Sequence, residues 1–380
     1  MPITVHHVVE SLCLRAPREL AEPWDNVGLI VGDPGARVRR VLLCVDATAE
    51  IVAEARRMRG QVIVAHHPLF VEPLKRVRAD EDASAVAYHA ARAGISICCL
   101  HTNLDYAPEG LCVELARVAG LEDIRPLTAA GASAFYKLVI FVPPSHLAAV
   151  RGAIGRAGAG RIGDYEACSF SAQGEGTYRP LPGATPYEGT VGELERAAEV
   201  RLEMILARSS LSAALAAMAD AHPYEEPAFD IYPLANAWPH SARGALGKLR
   251  RATSVASFAA HAQAALRASV VRVSGDERRK VRLVAVGSGS AGNLVGDAIA
   301  AGADALLLGE VRHADALRAC ARGLTIIELG HFATERPAVE LMRRWLEHDL
   351  AGRIEVMPSG VEAEPLRALQ APRRRPKNKP

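Results

Sequence analysis

The residues of this 380-residue chain that could do chemistry gather at the ends of short apolar runs. "QVIVAHHPLF" closes on His66 and His67, and "ISICCLHTNLD" on His101 and Asp105. "LTIIELGH" closes on His331, with Glu335 four residues later. "VLLCVD" ends in Asp46, and "DALLLGE" in Glu310 with His313 close behind. If these runs are strands, the residues sit at the carboxyl ends, where open α/β sheets bind ligands. Each one alone reads as an ordinary hydrogen-bonding, turn or first-turn residue. Their convergence on one edge points instead to a metal or catalytic site. A set of His, His, Asp, His and Glu without a thiolate suits zinc, iron, manganese or cobalt. Five ligands exceed the need of one tetrahedral ion and two carboxylates can bridge, so two ions about 3.5–4 Å apart are expected. Two divalent ions against two carboxylates and a bridging hydroxide leave one positive charge, which suits an anionic or carbonyl-bearing substrate.

The adjacent pair needs explaining, because successive side chains of a strand point to opposite faces. At a strand end the pleat no longer governs direction, and Pro68 favours an extended backbone at His67. His66 and His67 can then splay toward two ions.

The elements that must position these residues alternate. "VRRVLLCVDAT", "QVIVAHH" and "ISICCLHTNLD" read as strands, with helices at "AEIVAEARRM", "EDASAVAYHAARAG" and "GLCVELARVAG". The alternation predicts βαβ units and a mostly parallel sheet over residues 1–130. From residue 131 to about 240 a strand–helix–strand–strand–helix–strand order, broken by Gly/Pro/Ser-rich text, predicts a ferredoxin-like α+β insert. The α/β alternation resumes over 241–368, so the expected fold is one α/β domain split by the insert. Residues 369–380 read as a disordered basic tail.

Composition is that of an ordinary globular protein, with 49% hydrophobic and 23% charged residues. Net charge is +2, but the last ten residues carry five positive charges, so the basic character belongs to the tail and argues against a nucleic-acid partner. No secretory leader and no apolar run long enough for a membrane span is evident. Seven cysteines without a C-x-x-C pair fit free thiols in a reducing cytoplasm.

"WDNVGLIVGD" (24–33), "VIVAHHPLF" (62–70), "HTNLD" (101–105) and "ELGHFATERP" (328–337) closely resemble the Nif-three-like family, often labelled GTP cyclohydrolase 1 type 2 homologues. The resemblance implies that His66, His67, Asp105, His331 and Glu335 hold two divalent metal ions, zinc, iron or manganese. It also implies a toroidal homohexamer with the sites facing an internal cavity, and it makes the insert a CutA/PII-type module. His101 and His313 fall outside that ligand set and are candidates for supporting the ligands from behind or for proton transfer. Trp24, Asp25 and Asn26 are placed at the floor or rim of the site, although Asp25 reads equally well as a turn acid. "HPYEEP" (222–227) reads as a strand-shaping or subunit-contact segment rather than a second metal site.

The function expected is a dinuclear metal-dependent hydrolase whose activated hydroxide attacks a nucleotide-like or other anionic substrate. For a cyclohydrolase the target is purine C8, with His101 or His313 protonating the departing nitrogen. A non-catalytic metal-binding scaffold or regulatory protein is the alternative. A third reading comes from Gly287, Gly289 and Gly292, a G-x-G-x-x-G run after a strand with Glu310 ending the next. That context is the one a dinucleotide-binding oxidoreductase asks for. The same loop could instead hold a substrate phosphate beside the metals.

Overall fold

The short, mostly apolar four-residue runs become strands buried on both faces, as parallel strands covered by helices must be. In a computed structural model describing residues 2–129, 135–162, 165–235 and 242–366, Val62–Ala65, Ser96–Cys99, Ala305–Leu308 and Thr325–Glu328 are buried at every position. The chain divides into two compact units, one combining 1–128 with 240–380 and the other formed by 129–239. The tail expected at 369–380 lies outside the described residues, as do 131–134 and 236–240.

In the first unit the single mostly parallel sheet expected from the alternation is two sheets. One has the order Gly28–Val31, Ser96–Cys99, Val62–Ala65, Arg40–Cys44, Glu355–Pro358. All its neighbours are parallel except the antiparallel edge strand Gly28–Val31. The other has the order Arg272–Val273, Thr325–Glu328, Ala305–Leu308, Lys280–Val286, Ala242–Ser254, Glu122–Ala129. Its three central strands are parallel, and Arg272–Val273 and Ala242–Ser254 join them antiparallel. The two halves are interleaved: Glu122–Ala129 from the first half completes the second sheet, and the C-terminal strand Glu355–Pro358 completes the first. Alternation of strand and helix tells which strands have covering helices, but not which ladder each joins, so the division into two sheets was invisible in the pattern.

Helices seal both sheets. Leu115 and Ala116 of helix Leu111–Val118 and Phe258 and Ala262 of helix Val255–Leu266 pack with Val284, Leu307 and Ile327 of the second sheet in one buried cluster. Ile51 and Ala55 of helix Ala49–Arg57 and Val86 and Ala90 of helix Asp82–Arg92 cover Ile63 and Ile97 of the first. Burying a Leu, Ile or Phe stabilises by roughly 1.5–3 kcal/mol each, so the strand ends stand on a rigid base.

The second unit is a four-stranded antiparallel sheet in the order Phe170–Tyr178, Glu195–Ala207, Phe135–Val142, Phe229–Pro233. Glu195–Ala207 alternates, burying Val200, Leu202, Met204 and Leu206 on one face. Those side chains pack with Val150, Ile154, Ala214 and Met218 of helices Leu147–Arg156 and Leu211–Ala221.

Among the described residues no helix is long and apolar enough to cross a membrane.

Candidate metal centre

Strand Val62–Ala65 ends in the centre of the first sheet, so the residue that follows is delivered into the protein. His66 is fully buried, and its Nδ1 lies 2.8 Å from the Leu100 carbonyl oxygen. That acceptor fixes the ring and aims Nε2 at Glu335, whose Oε1 is 3.7 Å away, beyond hydrogen-bond reach. His67 turns the other way. Its Nδ1 is 2.8 Å from Asp46 Oδ1, and its Nε2 is 2.9 Å from Glu335 Oε2.

From the second sheet, strand Thr325–Glu328 passes through Gly330, whose φ of +93° is open to glycine and strained for other residues, into the short helix His331–Glu335. Residues four apart share a helix face, so His331 and Glu335 point together. His331 Nε2 is 3.0 Å from Glu335 Oε1, and its Nδ1 is 3.1 Å from Glu310 Oε1. Asp105 lies on the helical turn Thr102–Tyr106, and its Oδ1 accepts a hydrogen bond from Ser288 Oγ at 2.6 Å. Asp25 fastens that turn, accepting from the Thr102 amide at 3.1 Å and the Thr102 hydroxyl at 2.5 Å.

The ligating atoms of His66, His67 and His101 lie within 4.8 Å of one another, and so do those of His67, His331 and Glu335. His101, expected outside the ligand set, is therefore grouped with the pair His66 and His67, its Nδ1 3.0 Å from Asp25 Oδ1. Asp105 is in neither triad, although its charge acts on His66. His313 is exposed at the first position of helix His313–Ala321 and is in neither triad.

Three of these rings repeat one design: a carboxylate or carbonyl on Nδ1 and Nε2 turned inward. This is how metal-binding histidines are oriented and their tautomer fixed. Asp46 and Glu310 were visible at strand ends, but nothing in the text marked them as the acceptors behind His67 and His331.

The electrostatics are those of a site holding surplus donors. Burial pushes the Glu335 carboxyl up, but His331, His66 and His67 around it outweigh burial and hold it well below the usual carboxylate range. Burial lowers His67, yet Asp46 and Glu335 on its two nitrogens raise it to about 10. His331 is raised to about 9, first by its hydrogen bond to Glu335. Burial raises Asp105. The buried Nε2 of His66 has no hydrogen-bond partner, and the buried Oε2 of Glu335 faces His67 Nε2 at 2.9 Å without the alignment of a hydrogen bond. Buried polar atoms are rarely left so, and a divalent ion bound by neutral imidazole and carboxylate would satisfy both. The donor set fits such ions.

Gly289 completes the cradle. A Cβ there would fall inside van der Waals contact with Glu335 Oε1 and 3.0 Å from His331 Nε2, and φ is +52°. The glycine-rich loop thus has a different use from the one its spacing suggested. The amides of Gly287 and Gly289 are spent on Leu307 O and Thr334 Oγ1, and Glu310 is engaged with His331.

A cleft of about 390 Å³ opens over His101, Asp105, His331 and Glu335, with Trp24 and Arg243 also in its lining. In the second unit, His222 has both ring nitrogens occupied, Nε2 at 3.0 Å from Phe141 O and Nδ1 accepting from the Tyr224 amide at 3.1 Å.

The profile of one family, described as Duf34/NIF3 (NGG1p interacting factor 3), matches residues 3–365. A protein of Halalkalibacterium halodurans named GTP cyclohydrolase 1 type 2 homolog is 35% identical over 92% of this chain and 95% of its own length. One of the same name from Mycobacterium leprae is 38% identical over 87% of this chain and 86% of its own. The crystal structure of a Bacillus cereus protein related to NIF3 superposes with a TM-score of 0.66 at 33% identity, covering 97% of this chain and 100% of that one.

Proposed function

This chain belongs to the Duf34/NIF3 family, and from that premise we propose that its first unit is a metal-dependent hydrolase working with two divalent ions, zinc, iron or manganese. The observation that carries the reading is the buried, unpartnered Nε2 of His66, aimed at Glu335 in the centre of an imidazole and carboxylate cluster. His66, His67, Asp105, His331 and Glu335 would hold the ions. When bound, such ions acidify water and polarise the bond under attack.

The remaining roles fall to the chain. Asp46, Glu310 and the Leu100 carbonyl keep the rings in one tautomer with Nε2 inward. Ser288 aims Asp105. His101, on the cleft lining and backed by Asp25, is placed to give a proton to a departing nitrogen. The relatives' name supports a cyclic, nucleotide-like substrate whose ring C–N bond is hydrolysed.

The proposal includes a homohexamer, a cytoplasmic setting in keeping with the buried free thiols Cys44, Cys98, Cys99 and Cys112, and a ferredoxin-like, PII/CutA-type insert. The four-stranded antiparallel order of the second unit supports that last assignment. The test is a hydrolase screen of reconstituted protein over nucleotides, phosphoesters and cyclic amides, with Asp105→Ala alongside. Turnover that disappears in the variant supports the reading. Turnover equal in both, or none in either, overturns it.

A further inference from the structure

The cleft over the metal cluster has a lining that discriminates among substrates, and its chemistry is unlike that of a triphosphate site. Trp24 stands on it with 55% of its surface exposed, a large apolar ring left open to solvent. Its indole meets His101 edge-on at 5.9 Å. Exposed aromatic rings beside a reaction centre serve as stacking surfaces for planar ligands.

Arg243 is the one Arg or Lys in the lining among the described residues. It is already engaged: Nη2 donates to Glu22 Oε1 at 2.5 Å, and its guanidinium lies 5.7 Å from the centre of the Tyr106 ring. Tyr106 donates to the same Glu22 oxygen at 3.0 Å, so the carboxylate fixes both groups.

The formal charges decide between ligand classes. Glu22, Asp105 and Glu335 against Arg243 give the lining −2, and two divalent ions with their bridging hydroxide bring it to about +1. A nucleoside triphosphate carries roughly four negative charges, up to two of them on its terminal phosphate. Sites for such groups supply a lysine and a row of free loop amides. Here the amides of Gly287 and Gly289 are committed within the fold.

We propose that this cleft selects a planar heterocycle carrying at most one small anionic group, stacked on Trp24 with that group toward Arg243, and that it disfavours nucleoside triphosphates. This rests on the metal-hydrolase reading of the same site and narrows its substrate to a nucleoside or nucleoside monophosphate class.

The test is calorimetric titration of the metal-reconstituted full chain with guanosine, GMP and GTP, repeated on Trp24→Leu and Arg243→Gln, with metal content measured on each sample. Guanosine and GMP should bind, and GTP should bind less tightly than GMP. Trp24→Leu should weaken guanosine and GMP about tenfold with its metal content unchanged. Arg243→Gln should weaken GMP and leave guanosine alone. GTP binding tighter than GMP, Trp24→Leu without effect, or no binding of guanosine and GMP would each overturn the proposal. Binding in the expected order without turnover supports it, and removes the hydrolase reading instead.

Discussion

Replacing Gly289 with Ala should empty the metal centre without touching a ligand. The added methyl would overlap Glu335 Oε1 and come within 3.0 Å of His331 Nε2. To restore ordinary contact at about 3.5 Å, the carboxylate must retreat by roughly 1 Å or more. Metal–ligand distances hold to about 0.2 Å, so a carboxylate displaced that far no longer ligates. Loss of an outer hydrogen-bond partner lowers metal affinity about 10–100-fold. Loss of Glu335 itself should therefore cost at least about 100-fold.

Backbone strain contributes separately, since a non-glycine residue at positive φ costs on the order of 1–3 kcal/mol. Gly302→Ala supplies the control: its φ is +70° and nothing lies within 4 Å of its added Cβ. Both variants should melt lower than wild type in EDTA, while only Gly289→Ala loses metal affinity in a competition titration with a chelator. Gly289→Ala binding metal within about threefold of wild type, or Gly302→Ala matching its loss, would refute the cradle argument.

Three further outcomes are expected. His66→Ala and His67→Ala should each retain one ion and lose a different one, read by metal content and the absorption of a cobalt-substituted sample; identical spectra would contradict the splayed arrangement. Asp46→Asn and Glu310→Gln should each lower metal affinity about tenfold with every ligand intact, and unchanged affinity in both would remove their orienting role. In metal-free protein, His67 at about 10 and His331 at about 9 lie above their ordinary 6.5. Their stabilisation is complete below that ordinary value and lost as pH rises through 9 to 10, so the urea midpoint in EDTA should fall between pH 7 and pH 10. A flat profile would mean that the Glu335, Asp46 and Glu310 contacts contribute nothing.

The sequence carried the residues of the centre better than the frame around them. His66 and His67 stood out because a histidine pair closing a buried strand conflicts with the pleat, and His331 and Glu335 because they close an apolar run, whereas the short helix that turns both to one side was not read. The supporting groups were legible only as types. Asp25 read equally as a turn acid, and it is in fact both the fastening of the Thr102–Tyr106 turn and the acceptor for His101. Gly289 was read through the spacing of a dinucleotide loop, whereas its lack of a side chain makes room for Glu335.

The frame failed where polar text hid a strand. Ala242–Ser254, rich in Gly and Arg, carries no continuous apolar run, yet it lies between Lys280–Val286 and Glu122–Ala129 in the second sheet. Strand pairing is a long-range choice that local pattern does not encode.

Metal content is the most direct measure of a dinuclear centre. After removal of bound metal and reconstitution with zinc, iron or manganese, the full chain should hold about two ions per chain by mass spectrometry of the elements, and Glu335→Gln should hold fewer. Less than one ion per wild-type chain after careful reconstitution would contradict the dinuclear centre.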